Sequence, residues 1–377
     1  MRLLCSCLLI LLWPADSVTQ QQVEFSGRTW TVYGEEVRVE GYLGQDAVRL
    51  RNAVLLLSDI DFENGTIEFD VATTGHRSFI GAAFRVDLAN NAYEDFYLRP
   101  HNSGRFDATQ YTPVDHGISA WQLYPEYNAV LEIPHNSWIH VKLVVSGSRL
   151  EAYCNGESDP RLVVEDLKRG KGRGAVLLKS TFPTAQATNT YATAFANFVL
   201  TTDETPGAYN NAETRAPGIV DRWAVSSPFT VSELPIRQLP TDELAPEGWR
   251  IVETESSGLV NLARYSGIPQ GAQHGTILAR IIIESDRDQV KKLKFGFSDQ
   301  GSIFLNGQIL FSADNTYRSR SQRYLGVVTI DNDAVYLPLR RGENELVLAV
   351  TEAFGGWGLI ASLEDPAGLM SVQARIP

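Results

Sequence analysis

Hydrophobic and polar residues alternate with a period of two along much of the chain, and the period of an amphipathic helix is scarce. In Thr66–Ala72, for example, Ile67 and Phe69 alternate with Glu68 and Asp70. Such alternation is typical of β-strands that bury one face. The same pattern predicts strands at Phe79–Asp87, Trp138–Val145, Leu150–Tyr153, Ala175–Leu178 and Ala194–Leu200.

The second half of the chain repeats this pattern after a polar segment without periodicity. Residues 202–217 are rich in Pro, Gly and Asn and predict a linker. Beyond them, Asn306-Gly307 is a strong signal for a two-residue hairpin turn. Further strands are predicted at Ile277–Glu284, Lys292–Phe297, Ser302–Leu305, Gln308–Phe311, Glu345–Val350 and Leu359–Leu363.

These elements predict an all-β protein with two β-sandwich domains, at residues 20–201 and 218–377. The length of 377 residues suits two domains. The formal net charge is −12. An acidic chain lacks the concentrated basic surface that nucleic-acid binding requires, so we expect no nucleic-acid partner.

Residues 1–18 have the form of a secretory signal peptide. Arg2 precedes the apolar run Leu3–Trp13, which is too short to cross a hydrocarbon layer of about 30 Å. We therefore expect an exported protein, periplasmic or extracellular, without a membrane span. Cleavage would leave Cys154 as the one remaining cysteine, so the sequence predicts no internal disulfide.

The segment Asn90–Tyr124 concentrates aromatic, amide and charged side chains. Within it, a predicted strand at Phe96–His101 places Tyr97, Arg99 and His101 on one face. Aromatic rings stack on the C–H faces of sugars, whereas Arg, Asn, Asp and Gln bind hydroxyl groups. The alternative is a long loop whose Arg and His side chains satisfy buried carbonyls. The candidate ligand-binding residues are Arg85, Tyr97, Arg99, Asn102, Arg105, Gln110, Tyr111, Trp121 and Tyr124.

Two groups of acidic residues are candidates for metal binding or catalysis. Asp87, Asn90, Asn91, Glu94 and Asp95 offer oxygen ligands at the short spacing that calcium needs, so calcium is the cofactor they would suit. The candidate metal ligands among them are Asp87, Asn90 and Glu94. Solvated turn residues are the alternative. Glu68 and Asp70 lie about 6.5–7 Å apart along one strand face, a separation found in paired glycosidase carboxylates.

Three motifs occur in a characteristic order in residues 23–201. They are a strand that opens Gly65-Thr66-Ile67-Glu68, a W-x-x-V-K-x-V-V-x-G strand from Trp138, and the A-Y-x-N-G hairpin after it. In this order the segment resembles the concanavalin A-like lectin/glucanase superfamily, in its laminin-G-like branch, and the related 3-keto-disaccharide hydrolase family. Residues 218–370 are similar to galactose-binding-like jelly rolls, through an F-L-N-G hairpin and a G-x-N-x-L-x-x-x-V strand from Gly342.

The resemblance implies a glycan-binding or glycan-processing protein, since this fold hosts both. Our first interpretation is an exported carbohydrate-binding protein that recognises an oligo- or polysaccharide on the concave face of the first domain. A hydrolase of the 3-keto-disaccharide hydrolase kind is the first alternative, with His101 or Asp107 as general base and Arg99 holding substrate oxygens. A structural or adhesion module with a protein partner is the second alternative.

Overall fold

The computed structural model describes residues 21–182, 191–203, 215–240 and 246–377. Its regular structure is almost entirely β, which confirms the predicted fold class. The helices in these residues are single 3-10 turns at Pro100–Asn102, Pro125–Tyr127 and Leu262–Arg264. No helix in the described parts of the chain has the length and hydropathy that a bilayer crossing requires.

The chain forms two compact units. The first unit ends at Gly117 and resumes at Glu126, and the second comprises Ile118–Pro125 together with the chain from Ala212 onward. The change from first to second unit between Asn211 and Ala212 falls inside the predicted linker 202–217. The short excursion at Ile118–Pro125 has no counterpart in the sequence-based prediction.

The first unit consists of one long, branched antiparallel sheet. Its strands are β1 (Gln22–Phe25), β2 (Arg28–Tyr42), β3 (Gln45–Phe62), β4 (Gly65–Thr73), β5 (Phe79–Asp87), β6 (Ala92–Leu98), β7 (Thr109–Asp115), β9 (Asn128–Ala129), β10 (Trp138–Ser146), β11 (Arg149–Cys154), β12 (Leu162–Val164), β13 (Gly174–Thr181) and β14 (Thr193–Thr202). Strand β8 (Ile118–Ser119) belongs to the second unit. The sheet runs in the order β12-β11-β10-β4-β14-β3-β13-β5-β6-β7, with β2 on β3, β1 on β2 and β9 on β7.

The core of the first unit follows from the alternation in its strands. Ile67, Phe69 and Val71 of β4 are buried, whereas Glu68 and Asp70 between them are partly exposed. Apolar side chains from β3, β5, β6, β10 and β13 join the same core. A second apolar cluster, which includes Val86, Tyr93 and Ala175, occupies part of the opposite face of β13, β5 and β6.

The second unit is a sandwich of two antiparallel sheets. Its remaining strands are β15 (Arg222–Val225), β16 (Arg250–Glu253), β17 (Leu259–Asn261), β18 (Gly275–Ser285), β19 (Gln289–Ser298), β20 (Gln300–Leu305), β21 (Gln308–Asp314), β22 (Asp333–Leu339), β23 (Gly342–Glu352), β24 (Gly358–Leu363) and β25 (Leu369–Gln373). One sheet has the order β16-β15-β18-β23-β20-β21, with β25 on β18, and the other has β17-β24-β19-β22. Trp223 and Trp357 are fully buried in the core, which draws on strands of both sheets.

The predicted hairpin at Asn306-Gly307 is confirmed. Leu305 on β20 pairs with Gln308 on β21, and the two residues between them have φ angles of 50° and 77°. Positive φ at both central positions is the geometry of a type I′ turn, which Asn-Gly favours.

Candidate functional site

The candidate site starts on one face of four neighbouring strands in the first unit. Tyr97 on β6 lies opposite Gln110 on β7 and opposite Gly81 on β5. Lys179 on β13 lies on the other side of Gly81. Directly paired residues share a face of a sheet, so Lys179, Tyr97 and Gln110 form one row across Gly81.

A hydrogen-bond network joins the polar side chains of this row to Arg99. The Tyr97 hydroxyl donates to Gln110 Oε1 (2.8 Å), and Arg99 Nη2 donates to the Tyr97 hydroxyl oxygen (2.9 Å). Arg99 also donates to Gln110 Oε1 and, through Nη1, to the backbone carbonyl of Asp107 (2.8 Å). Tyr97, Arg99 and Gln110 are all buried, so the network holds their side chains in fixed orientations.

A buried ion pair lies on the same face. Lys179 donates to Asp95 Oδ2, and the other carboxylate oxygen, Asp95 Oδ1, is buried without a hydrogen-bond partner. Burial raises the pKa of Asp95, although the Lys179 ammonium acts in the opposite direction. An acceptor in this position is a place where a hydroxyl group of a ligand could donate.

Residues 99–108, which we call the site loop, connect β6 to β7. The predicted strand Phe96–His101 is wrong at its end, because β6 stops at Leu98 and Pro100 begins a 3-10 turn. Proline lacks the N–H that a continuing ladder would use. His101 therefore does not share a strand face with Tyr97, as the alternation had predicted.

The site loop carries half-buried polar groups beside an exposed ring. Asn102 Nδ2 donates to Asp107 Oδ2 (2.9 Å), while Asp107 Oδ1 is buried without a hydrogen-bond partner. Asp107 Oδ2 is 3.8 Å from Arg99 Nη1, which ties the loop to the network on the sheet. Phe106 is 56% exposed, whereas aromatic side chains usually bury much of their surface.

His101 lies at the base of the site loop against Phe79, with the two rings edge to face at a centroid distance of 5.6 Å. Its Nδ1 is buried and has no hydrogen-bond partner. Burial, together with the charges of Arg77, Arg99 and Arg105, lowers the pKa of His101 to about 4. At neutral pH the imidazole is uncharged and can accept a hydrogen bond, but it is a weak general base.

Several predicted site residues have structural contacts of their own. Arg85 is buried and donates to the backbone carbonyls of Glu63, Gly170 and Gly147, at 3.0, 3.0 and 2.6 Å. This matches the alternative in which an arginine satisfies buried carbonyls. Tyr111 is also buried, and its hydroxyl donates to Glu94 (2.6 Å). Both side chains thus make structural contacts within the first unit.

The predicted calcium ligands do not come together. Asp87 accepts hydrogen bonds from the backbone and side-chain nitrogens of Asn90, at 3.2 and 2.7 Å, as in a turn at the end of a strand. Glu94 is fully buried and accepts instead from Tyr111 and from the backbone N–H of Arg169. Among the described residues, no three His, Cys, Asp or Glu side chains converge as metal ligands would.

Trp121 and Tyr124 lie in Ile118–Pro125 and so belong to the second unit. Trp121 packs near Tyr317 and Phe354, with centroid distances of 5.8 and 5.9 Å, and the Tyr124 hydroxyl donates to Glu255 (2.6 Å). Their place in the sequence, inside the segment that supplies the candidate site, gave no sign of this separation.

Glu68 and Asp70 lie on the partly exposed face of β4, where both contact one histidine on β10. His140 Nδ1 is 2.8 Å from Asp70 Oδ1, and Nε2 is 3.3 Å from Glu68 Oε2. Asn197 donates to the second oxygen of Asp70 (2.7 Å). These carboxylates thus hold a histidine in place and are separate from the site loop.

Three residues that the sequence analysis did not select belong to the candidate site: Lys179, Phe79 and Phe106. Asp95, which was selected as a possible oxygen ligand for calcium, pairs with Lys179. Lys179 is 84 residues from Asp95 in the sequence. The ion pair could therefore be predicted only from the strand order, in which β5 lies between β13 and β6. Phe106 lies next to the selected Arg105 and Asp107. An aromatic residue in a polar segment bounded by Gly104 was a usable signal.

Comparison with known proteins gives structural neighbours and nothing at the level of sequence. No family model matches the chain, and no curated protein matches it. A carbohydrate-binding module of family CBM66 from Bacillus subtilis is 16% identical, covers 45% of this chain and 92% of its own, and has a TM-score of 0.32. Domain 4 of a GH43 extracellular arabinanase from Geobacillus stearothermophilus, in complex with arabinotriose, is 14% identical, with coverage of 43% and 90% and a TM-score of 0.27. An anti-sigma factor domain-containing protein is 7% identical, covers 85% and 81%, and has a TM-score of 0.26.

Proposed function

We propose that the first unit is a carbohydrate-binding domain that holds an oligo- or polysaccharide at the site loop and the polar face of β5, β6, β7 and β13. We further propose that this face is the concave face of a concanavalin A-like sandwich, and that the protein is exported, with residues 1–18 as its signal peptide. A jelly roll of the galactose-binding-like kind is the corresponding proposal for the second unit.

One observation carries the proposal. Asp95 Oδ1, His101 Nδ1 and Asp107 Oδ1 are buried acceptors without a hydrogen-bond partner, close in sequence to the exposed ring of Phe106. Native proteins leave few buried polar atoms unpaired, and a ligand that brings hydrogen-bond donors would satisfy these three. Saccharides present many hydroxyl donors on a skeleton with apolar C–H faces, and Phe106 offers a surface on which such a face can stack.

The proposal is tested by incubating the purified protein with a panel of oligosaccharides, separating bound from free by spin filtration, and analysing the filtrate by mass spectrometry. We expect depletion of a saccharide without new product masses. New product masses would instead favour the hydrolase alternative. The variants His101→Ala and Asp107→Ala would then be assayed for loss of product formation. Neither depletion nor products would favour the structural or adhesion module.

Variants of the site loop make the test specific. Phe106→Ala removes the exposed ring and should weaken binding about tenfold, the size expected for one stacking contact. Tyr336→Ala is the matched control, because Tyr336 is 65% exposed on β22 of the second unit. If Phe106→Ala bound the saccharide as tightly as the wild type, the site loop would not be part of the binding surface.

A further inference from the structure

The loop at residues 74–78 and the site loop leave the sheet at the same end of the β5–β6 pair. Ile80, near the start of β5, pairs with Leu98 at the end of β6. The chain just before β5 and the chain just after β6 therefore lie side by side. The first contributes Arg77 and the second Arg105, and the charges of both act on His101.

Arg77 and Arg105 differ from the other cations of the site. Arg99 has the Asp107 carboxylate 3.8 Å away, and Lys179 pairs with Asp95. Within the described residues, neither Arg77 nor Arg105 has a carboxylate within ion-pair distance or a side-chain hydrogen bond. Arg77 Nε is moreover buried and unpartnered, whereas the Arg105 side chain is exposed.

The protein is acidic, with a formal net charge of −12, yet these two neighbouring loops present two arginines without a carboxylate partner among the described residues. Glu132 is an exposed acidic residue beside the site loop, and it accepts a long hydrogen bond from Ser103 (3.4 Å). A guanidinium group binds carboxylates and sulfates through paired N–H donors, and a buried unpartnered Nε–H costs free energy until an acceptor reaches it.

We infer that the saccharide bound at the site loop is acidic, and that Arg77 and Arg105 recognise its carboxylate or sulfate group. Arg77 Nε–H would donate to the anionic group, while His101 Nδ1, which is uncharged at neutral pH, would accept from a neighbouring hydroxyl. This inference rests on the proposed function, because it names the class of saccharide for the same site.

The test compares matched pairs of polymers that differ in charge. Polygalacturonate is compared with fully methyl-esterified pectin for the carboxylate, and dextran sulfate with dextran for the sulfate, by calorimetric titration of the full chain. We expect at least one acidic polymer to bind about tenfold or more tightly than its neutral partner, as one or two charge-assisted hydrogen bonds would give. The polymer pair in which the acidic member binds more tightly identifies the anionic group as a carboxylate or a sulfate.

Variants of Arg77 and Arg105 test whether these two residues cause the preference for the acidic polymer. In the double variant Arg77→Gln and Arg105→Gln, the acidic polymer should bind no more tightly than the neutral one. Arg38→Gln is the charge-matched control, because Arg38 lies on β2 and pairs with Glu36, and it should keep the full preference. A preference that survives in the double variant would overturn the inference.

The outcomes also separate this inference from the proposed function. Equal binding within each pair, or binding only of neutral polymers such as β-glucan or arabinan, would overturn the acidic class and leave carbohydrate binding intact. Binding of no saccharide, acidic or neutral, would overturn both. If Arg38→Gln weakened binding of the acidic polymer as much as the double variant did, the preference would come from general charge attraction. This result would overturn the assignment to Arg77 and Arg105.

Discussion

At the scale of single residues, Arg85 and Arg99 show one residue type in two environments within the same unit. Arg85 lies where its guanidinium reaches three backbone carbonyls, and it acts as an internal tie between separate loops. Arg99 instead donates to side chains that lead to the site loop. The sequence pattern does not distinguish the two arginines, because each alternates with apolar neighbours on a predicted strand.

Replacing Arg85 tests its role as a tie. Arg85→Ala leaves three carbonyls of the first unit without their donor, and each unsatisfied buried group costs roughly 1–3 kcal/mol. We expect the free energy of unfolding to fall by about 3 kcal/mol or more in urea titrations. Arg38→Ala, on the exposed face of β2, should change it by about 0.5 kcal/mol or less. Similar effects of the two variants would contradict the structural role of Arg85.

At the scale of elements, the β5–β6 pairing fixes the position of Tyr97. A Cβ on Gly81 would lie 2.2 Å from the Phe96 carbonyl oxygen and 2.9 Å from the Tyr97 Cα. The absence of a side chain at Gly81 therefore allows the two strands to approach.

Gly81→Ala should accordingly impair both stability and binding. The clash is with backbone, so the strands must separate, and we expect a loss of about 2 kcal/mol in unfolding free energy, the usual scale of overpacking. Saccharide affinity should fall as well, because Tyr97 and Gln110 move with β6. Gly41→Ala on β2 is the control, since an added Cβ there meets nothing within 4 Å. An unchanged saccharide affinity in Gly81→Ala would show that binding does not depend on the β5–β6 pairing.

The elements were largely predictable, whereas the site was predictable only in part. Strand β5 matches its predicted range, and β4, β10 and β18 differ from theirs by at most two residues at each end, because alternation is a local property. The link between Lys179 and Asp95 depends on pairing across 84 residues, which no local pattern encodes. The end of β6 at Leu98 was missed because the alternation of Tyr97, Arg99 and His101 outweighed the effect of Pro100 on the ladder.

At the scale of the whole molecule, the second unit contains a buried pair of acids. Asp299 accepts hydrogen bonds from the backbone N–H groups of Ala353 and Phe354, and Glu352 accepts one from Gly356. Burial raises the pKa of Asp299 to about 7, and burial together with the nearby Asp299 charge raises that of Glu352 well above its usual range. The folded unit thus holds protons that the unfolded chain, with ordinary carboxyl pKa values near 4, releases.

The sign of the pH dependence follows from this difference. Between about pH 4 and pH 7 the folded second unit binds more protons than the unfolded chain, so its stability decreases as the pH rises through this window and beyond. Glu352→Gln keeps an acceptor for the Gly356 N–H and removes one ionisable group. We expect urea unfolding at pH 4.5, 6 and 8 to show a smaller decline in the variant, which should exceed the wild type in stability at pH 8.

A surface variant controls for the change in net charge. Glu364 is partly exposed and pairs with Lys292, so Glu364→Gln should retain the decline of the wild type. If Glu352→Gln declined as steeply as Glu364→Gln, the buried pair would not be the origin of the pH dependence.

The path of the chain through Ile118–Pro125 has a consequence for inheritance. These eight residues belong to the second unit but are encoded within the stretch that encodes the first. A recombination event that transferred either unit alone at the connection near Asn211 would deprive the second of Gln122, whose side chain bonds to Leu325 and Ser298. The chain from Ala212 onward therefore lacks eight residues of the second unit, and a copy of that stretch alone would be incomplete.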